Sequence, residues 1–370
     1  MKRKLLMLLS LLMVMSLLLT ACGNSGDSSS SPTDVASAPD DAASDDAGSD
    51  TANSDAAGSD AAASDDAGSG DTASTDTDTV AVGAVVIARD DIPEDQSYAF
   101  VSSIFENTDA IAEQHGKGAE LDLDFAAGVT SVPYHPGAAK YFSEKGFDVD
   151  VKADAGNGNA GNLTFGTGGD TGTYYAFGSV LANYVSNNSD FTVTAVTSGG
   201  SQANVEDMMA GDVQLGFVQS DVMSYAYNGE RLFEEPVTGF SVVAALYMEQ
   251  VQIVTTDSSI ASVADLAGKT VSIGAVGSGV YFNAVDVLDA YGITVDDISP
   301  VYQSFGDSAD SLKDGKIDAA FIVAGVPTPA ITDLASGGNV YLVALDSEHV
   351  SSLLSASPFY SAYTIPAGTY

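Results

Sequence analysis

From residue 162 onward, β-branched runs alternate with amphipathic stretches, and no other feature of the chain constrains its fold as strongly. Runs near 162–167, 191–197, 213–218, 241–256, 270–275, 298–303, 318–324 and 340–345 predict strands, the one at 241–256 being long enough for two. Helices are predicted between them near 173–186, 201–210, 219–228, 261–267, 279–291, 307–314, 328–336 and 347–356. Such alternation implies βαβ units and a mainly parallel sheet, so the fold class is α/β. Ahead of this body, residues 79–88 read as one more strand, closed by the turn signal up to Pro93. A helix is predicted over 94–114, with Tyr98, Phe100, Val101, Ile104, Phe105 and Ile111 on its apolar face. Another follows Pro136 and Gly137, and residues 148–161 form a short polar linker.

The first 78 residues belong to a different kind of polymer. Lys2, Arg3 and Lys4 precede an apolar run from Leu5 to Leu19, the length of a secretory signal and too short to span a bilayer comfortably. Leu19-Thr20-Ala21-Cys22 resembles the motif that closes a bacterial lipoprotein signal, which implies a lipidated Cys22 and a signal peptide over 1–22. Residues 23–78 hold Ser, Asp, Ala, Gly and Thr with fourteen Asp, no Glu, no aromatic residue, and a near-repeat at 44–50, 54–60 and 64–70. Too little apolar area is present there to offset chain entropy, so a disordered tether between membrane and globule is expected.

Charge and composition then exclude several classes. The net charge is −39, from 51 acids against 12 bases. A nucleic-acid binder needs clustered Lys and Arg to meet phosphates, and a basic membrane patch needs the same. One Cys allows no disulfide framework, and the three His (His115, His135, His349) are scattered, so no metal site and no cofactor is expected. His115 and His349 lie in polar helices and are expected in solvent, while His135 reads as a turn residue beside Pro136.

Three Gly/Ser/Thr-rich turns each follow a predicted strand and open a predicted helix: 166–175, 197–204 and 274–279. The free N–H groups and dipole of a helix start favour an anion, glycine permits close approach, and hydroxyls add adaptable bonds. Three such turns at the carboxyl ends of parallel strands point to a ligand site for a small carboxylate. Enzyme motifs fail on inspection. The dinucleotide fingerprint that starts at Gly166 and Gly168 meets Thr171 where it needs glycine, and the P-loop tail at Gly268, Lys269 and Thr270 meets Val263. No nucleophile elbow surrounds Ser278, so no catalytic residue is assigned and the chain is not expected to be an enzyme.

At these turns the sequence resembles a known family. GTGGDTGTYYAFGSVLANYV, TSGGSQANVEDMMAGDVQLGFVQSD, DLAGKTVSIGAVGSGVYFNAVDVL and DGKIDAAFIVAGVPTPAI, in order across roughly 162–345, look like the TAXI-type solute receptors of TRAP transporters. The resemblance implies a two-lobed, type II periplasmic-binding-protein-like fold, located outside the cytoplasm on a membrane lipid anchor. It implies capture of a small organic or amino acid in an interlobe cleft and delivery to an integral-membrane TRAP permease. The binding component of an ABC importer is the alternative, and a surface lipoprotein enzyme using the same cleft is a further one.

Residues 79–146 look like the family's C-terminal part, which ordinarily follows a stretch such as YTIPAGTY, here at 363–370. The order therefore reads as a circular permutation, a truncated or misassembled reading frame being the alternative. On this reading 79–147 supplies the return crossover and part of lobe one, and 148–161 the new joint. Residues 162–250 complete lobe one, 251–350 hold a crossover strand and lobe two, and 351–370 return. The ligand donors implied are Thr167, Gly168, Thr171 and Thr173 from the first turn, Ser198, Gly199, Gly200 and Ser201 from the second, and Gly277, Ser278 and Gly279 from the third. Tyr174 and Tyr175 would form an aromatic wall or simply core, and Asn204 and Gln219 would offer amides. Asp221 would take a substrate ammonium or cap its helix.

Overall fold

Residues 75–159 and 161–370 are described by the structure, a computed structural model; Cys22, the signal peptide and nearly all of the predicted tether lie outside these residues. Strand β1 (Thr77–Arg89) is an almost unbroken run of Val, Ala and Ile, buried on both faces from Thr79 to Ala88. Such a strand needs cover on both sides, and the helices supply it. Helices α1 (Glu94–Phe105), α2 (Thr108–Ala112), α3 (Leu123–Ala126) and α4 (Pro136–Glu144) follow. Next come β2 (Leu163–Gly166), α5 (Thr173–Asn188), β3 (Val193–Val196), α6 (Ser201–Ala210), β4 (Leu215–Gln219) and α7 (Ser220–Asn228).

Strand β5 (Phe240–Thr255) runs sixteen residues without a break, one strand where two were possible. Beyond it lie β6 (Thr270–Ser272), α8 (Val280–Ala290), β7 (Ser299–Val301), α9 (Phe305–Lys313) and β8 (Ala319–Ala324). The last elements are α10 (Pro329–Gly337), β9 (Tyr341–Leu342), α11 (Ser347–Ala356) and β10 (Ser361–Ile365).

The strands form one sheet in the order β3-β2-β4-β1-β5-β8-β6-β7, with β10 also on β1 and β9 also on β5. On either side of the central β1–β5 ribbon the same order recurs: the second, first and third strands of a βαβ series, then a crossover strand. This is the two-lobed, type II periplasmic-binding-protein-like α/β architecture. The sheet is mixed, however, and the expectation of mainly parallel pairing is corrected. Pairing is parallel within each βαβ series but antiparallel wherever β1 or β5 takes part. Long crossover strands enter each series from the opposite end, which the local alternation does not reveal.

The two ribbon strands change cores midway. Ala84–Ala88 of β1 and Phe240–Tyr247 of β5 belong to one apolar cluster, which α1, α4, α5 and α7 help to form. Val80 and Val82 of β1 with Val251 and Ile253 of β5 belong to another, built with α8 and β8. Between them β5 carries Glu249 and Gln250, both buried.

Two further expectations are revised, and the linker is placed. The helix expected over 94–114 breaks at Glu106 and Asn107, because the Asn107 amide donates to Ser103 O at 3.0 Å and a new helix starts at Thr108. The strand expected over 340–345 is only two residues long. The polar segment 148–161 is docked rather than loose: Val151 bridges Tyr134, and Lys152 is buried with Nζ 2.5 Å from Asp90.

Candidate ligand cleft

Helices α5, α6 and α8 each begin where a Gly-rich turn leaves a strand, and each has glycine at its N-cap: Gly172, Gly200 and Gly279. None of the three is capped by its N-cap side chain, which is also true of α1, α2, α7 and α10, and Val280 N of α8 donates to Ser278 Oγ at 3.2 Å. In contrast α4, α9 and α11 are capped by His135, Ser304 and Asp346. The first N–H groups of a helix have no intrahelical partner, so these starts offer a positive dipole end and the donors not already spent on Ser278 Oγ (from Val280 N) and Gly277 O (from Ala203 N). Gly200 sits at φ +112°, a conformation that other residues rarely adopt, and so turns the chain sharply into α6.

The three starts face one cleft. From the first turn Gly168, Thr173 and Tyr174 line it, from the second Ser198, Gly199, Gly200 and Ser201, and from the third Ser278 and Gly279, with Gln219 at the end of β4. These ten sequence-predicted residues, drawn from the three turns and the end of β4, are brought together. The walls touch: Thr173 Oγ1 donates to Gly325 O at 2.9 Å and Ala330 N to Thr171 O at 3.2 Å.

The other six predicted residues are placed elsewhere. Thr167 Oγ1 donates to Val196 O, and Asn204, fully buried, donates to Thr167 O and Phe217 O, tying β2 to its neighbours. Thr171 packs against Gly306 and Gly277 O accepts from Ala203 N, both at the cleft rim. Tyr175 is half-buried on α5 and does not line the cleft. Asp221 is fully buried behind the wall, where its Oδ2 accepts from Asn283 at 3.0 Å. Of the histidines, His135 is buried as the cap of α4, accepting from Gly137 N and donating from Nε2 to Ile92 O at 3.0 Å. His115 and His349 are not free in solvent: each is half-buried, with its ring against Phe177 and Tyr291 respectively, because the imidazole offers an apolar face to a neighbouring ring.

Residues that the sequence reading did not single out complete the cleft: Glu249, Gln303, Ser304 and Phe305 line it. Glu249 is 2% exposed, and its Oε2 accepts from the Tyr174 hydroxyl at 2.6 Å. Tyr174 also stacks on Phe217 at 4.5 Å, so it is wall and core together. Burial pushes the Glu249 carboxyl up to about 8; the Tyr174 bond and the Lys117 ammonium pull it down, and the Asp221 charge pushes it further up. Burial likewise raises Asp221 to about 7, against the bonds it accepts from Val222 N and Asn283, and with the nearby Asp286 charge adding to the rise. A lone Glu inside an apolar strand run was the one available signal for Glu249.

From Gln219 a chain of bonds leads to the surface. Gln219 Nε2 donates to Asn283 Oδ1 at 2.9 Å, Asn283 Nδ2 to Tyr360 Oη at 2.9 Å, and Tyr360 to Asp286 at 3.0 Å, while Arg231 pairs with the other Asp286 oxygen. Among the described residues no group of three or more His, Cys, Asp or Glu could hold a metal ion, and no helix is long and apolar enough to cross a membrane.

The sequence model of the NMT1-like family matches residues 65–146 and 165–370. The chain belongs to the NMT1-like family. Solved structures similar to this NMT1-like chain include the periplasmic aliphatic sulphonate binding protein SsuA from Escherichia coli, at 18% identity over 50% of this chain and 60% of that one, with a TM-score of 0.32. The alkanesulfonate-binding protein SsuA from Xanthomonas axonopodis pv. citri, bound to MOPS, is similar at 20% identity over 50% and 61%, with a TM-score of 0.36. A putative L-cystine ABC transporter from Listeria monocytogenes is similar at 18% identity over 53% and 90%, with a TM-score of 0.35. The NMT1-like chain thus spans about three fifths of the length of the two sulfonate-binding proteins.

Proposed function

We propose that this protein is an extracytoplasmic solute receptor that closes its two lobes on a small carboxylate and delivers it to a TRAP-type permease. The observation that carries the reading is the convergence of three helix starts with glycine at the N-cap on one cleft. Donors preset on backbone amides suit an anion in a protein whose overall field repels one. Membership of the NMT1-like family supports the receptor role, and the four TAXI-like blocks support the choice of a TRAP permease over an ABC importer. We further read Cys22 as a lipid anchor and residues 23–78 as the tether that lets the receptor reach its permease. The chain order reads as a circular permutation. Ala367 N donates to Asp76 Oδ1 at 2.9 Å, so the two stretches that the usual order would join lie side by side, which supports this reading.

Thermal-shift screening of the purified chain against organic, amino and sulfonic acids tests the receptor. A true ligand stabilises by RT ln(1 + [L]/Kd), about 2.7 kcal/mol at a hundredfold excess over Kd. Stabilisation by one acid without turnover is the expected result. Turnover of the acid, or no response to any acid, would overturn the reading. Uptake by vesicles carrying a TRAP permease and the receptor, against vesicles carrying an ABC importer, separates the two transporter classes.

A further inference from the structure

Two cleft-lining residues, Gln219 and Gln303, each have a buried Oε1 without a donor among the described residues. For Gln219 the surrounding bonds fix the orientation of the amide. Asn283 Nδ2 donates to Asp221 and to Tyr360, so its Oδ1 must accept, and Gln219 can offer it only Nε2. Oε1 is thereby turned to Gly279 at the cleft wall, where it is buried and unpartnered in a residue 2% exposed. Beside it, the buried carboxyl of Glu249 accepts from the Tyr174 hydroxyl at Oε2. The two lie on one polar floor: Gln219 N donates to Ser201 Oγ at 3.1 Å, and the Ser201 hydroxyl also faces that of Tyr174.

A buried acceptor without a donor is costly, and at a ligand cleft a ligand that supplies the missing hydrogen accounts for one. A bare carboxylate or sulfonate brings only acceptors. It suits the helix starts, and a protonated Glu249 could donate to it, but it leaves the Gln219 Oε1 facing oxygen.

Building on the receptor reading above, we propose that Gln219 and Glu249 are the specificity-determining residues of the cleft: they receive an ammonium group, so the ligand is a zwitterionic acid, and its binding expels the Glu249 proton to solvent. The step balances. A neutral carboxyl and a ligand ammonium become a carboxylate–ammonium pair, and one proton leaves. Four groups face Glu249: Tyr174 from α5, Asp221 from α7, Tyr247 from β5 and Lys117 from the turn at 116–120. Lys117 and Tyr174 favour the carboxylate, whereas burial and Asp221 favour the acid. Burial is the largest influence, so the empty cleft holds the proton at neutral pH. An arriving cation reverses that balance.

Isothermal calorimetry on the full chain at pH 7, in two buffers of different ionisation enthalpy, tests this with matched probes: L-glutamate against glutarate, and taurine against ethanesulfonate. The ammonium-bearing member of a pair is expected to bind at least tenfold tighter than its partner and to release about one proton. Glu249→Gln is expected to abolish the proton release and to cut the preference below threefold. Equal binding within a pair, tighter binding of the bare member, or proton release that persists in Glu249→Gln would overturn this inference and leave the receptor reading standing. No binding of any probe would overturn the receptor reading itself, and this inference with it.

Discussion

The amide of Ala203 donates to the carbonyl oxygen of Gly277 at 2.9 Å, joining the second Gly-rich turn to the third across the cleft. Ala203 lies on α6, which packs on one core, and Gly277 precedes α8, which packs on the other. The lobes therefore meet through backbone, and small residues allow it.

Gly199 is the sharpest place to test that approach. A Cβ there would stand 2.8 Å from Val276 O across the cleft, but only 3.1 Å from the Ala203 methyl on its own side, a contact that a shift of a few tenths of an ångström relieves. Gly199→Ala should leave the melting temperature of the ligand-free protein within about 2 °C of the parent and weaken binding of an acid ligand about tenfold or more. Small-angle scattering with saturating ligand should show the variant staying more open than the parent.

Asp221 and Glu249 make stability depend on pH in a definite direction. Both acids hold their protons in the folded chain to about 7 and about 8, well above the values they have when unfolded. Between roughly pH 4 and pH 8 the folded state thus binds more protons than the unfolded one, and stability falls as pH rises. Asp221→Asn should remove the part of this slope that ends near pH 7, on the order of 3 kcal/mol between pH 5 and pH 8. Urea unfolding at pH 5 and pH 8 measures it. A variant whose stability difference between the two pH values equals that of the parent would refute the assignment. Asp286, Asn283, Tyr360 and Arg231 remain in the variant, so the comparison isolates one carboxyl.

Lys152 shows that the segment joining α4 to β2 is part of the fold. Its Nζ meets Asp90 and the carbonyl oxygens of Thr238 and Phe240, and it lies over the Tyr227 ring. Lys152→Met keeps the aliphatic stem but leaves the carboxylate and both carbonyls without their cation. A loss of about 2–4 kcal/mol is expected in urea unfolding. If the segment were only a spacer, the loss would be near zero.

Much of the site was legible because its chemistry follows the local chain. A glycine-rich turn between a β-branched run and an amphipathic run announces an open helix start wherever it occurs. Ten of the residues read that way do line the cleft, Ser201 and Gly279 among them. The residues placed away from the cleft are those whose bonds depend on distant partners. Asn204 looked like a ligand amide, yet its donors go to Thr167 O and Phe217 O, since the buried carbonyls of β2 and β4 need them more. Asp221 stands one turn behind the wall for a similar reason, its carboxylate drawn to Asn283 of α8.

By itself, then, the sequence determined the α/β class, the break in composition that separates leader from globule, and the three helix starts, because each depends on residues within a few positions of one another. Only the tertiary structure decided the mixed sense of the sheet, the docking of Lys152, and the meeting of Tyr174 with Glu249 seventy-five residues away. Glu249 lies in a strand that looks like any other buried strand. Its chemistry exists because β5 crosses from one core to the other at that residue, taking its carboxyl out of water and setting it beneath the cleft.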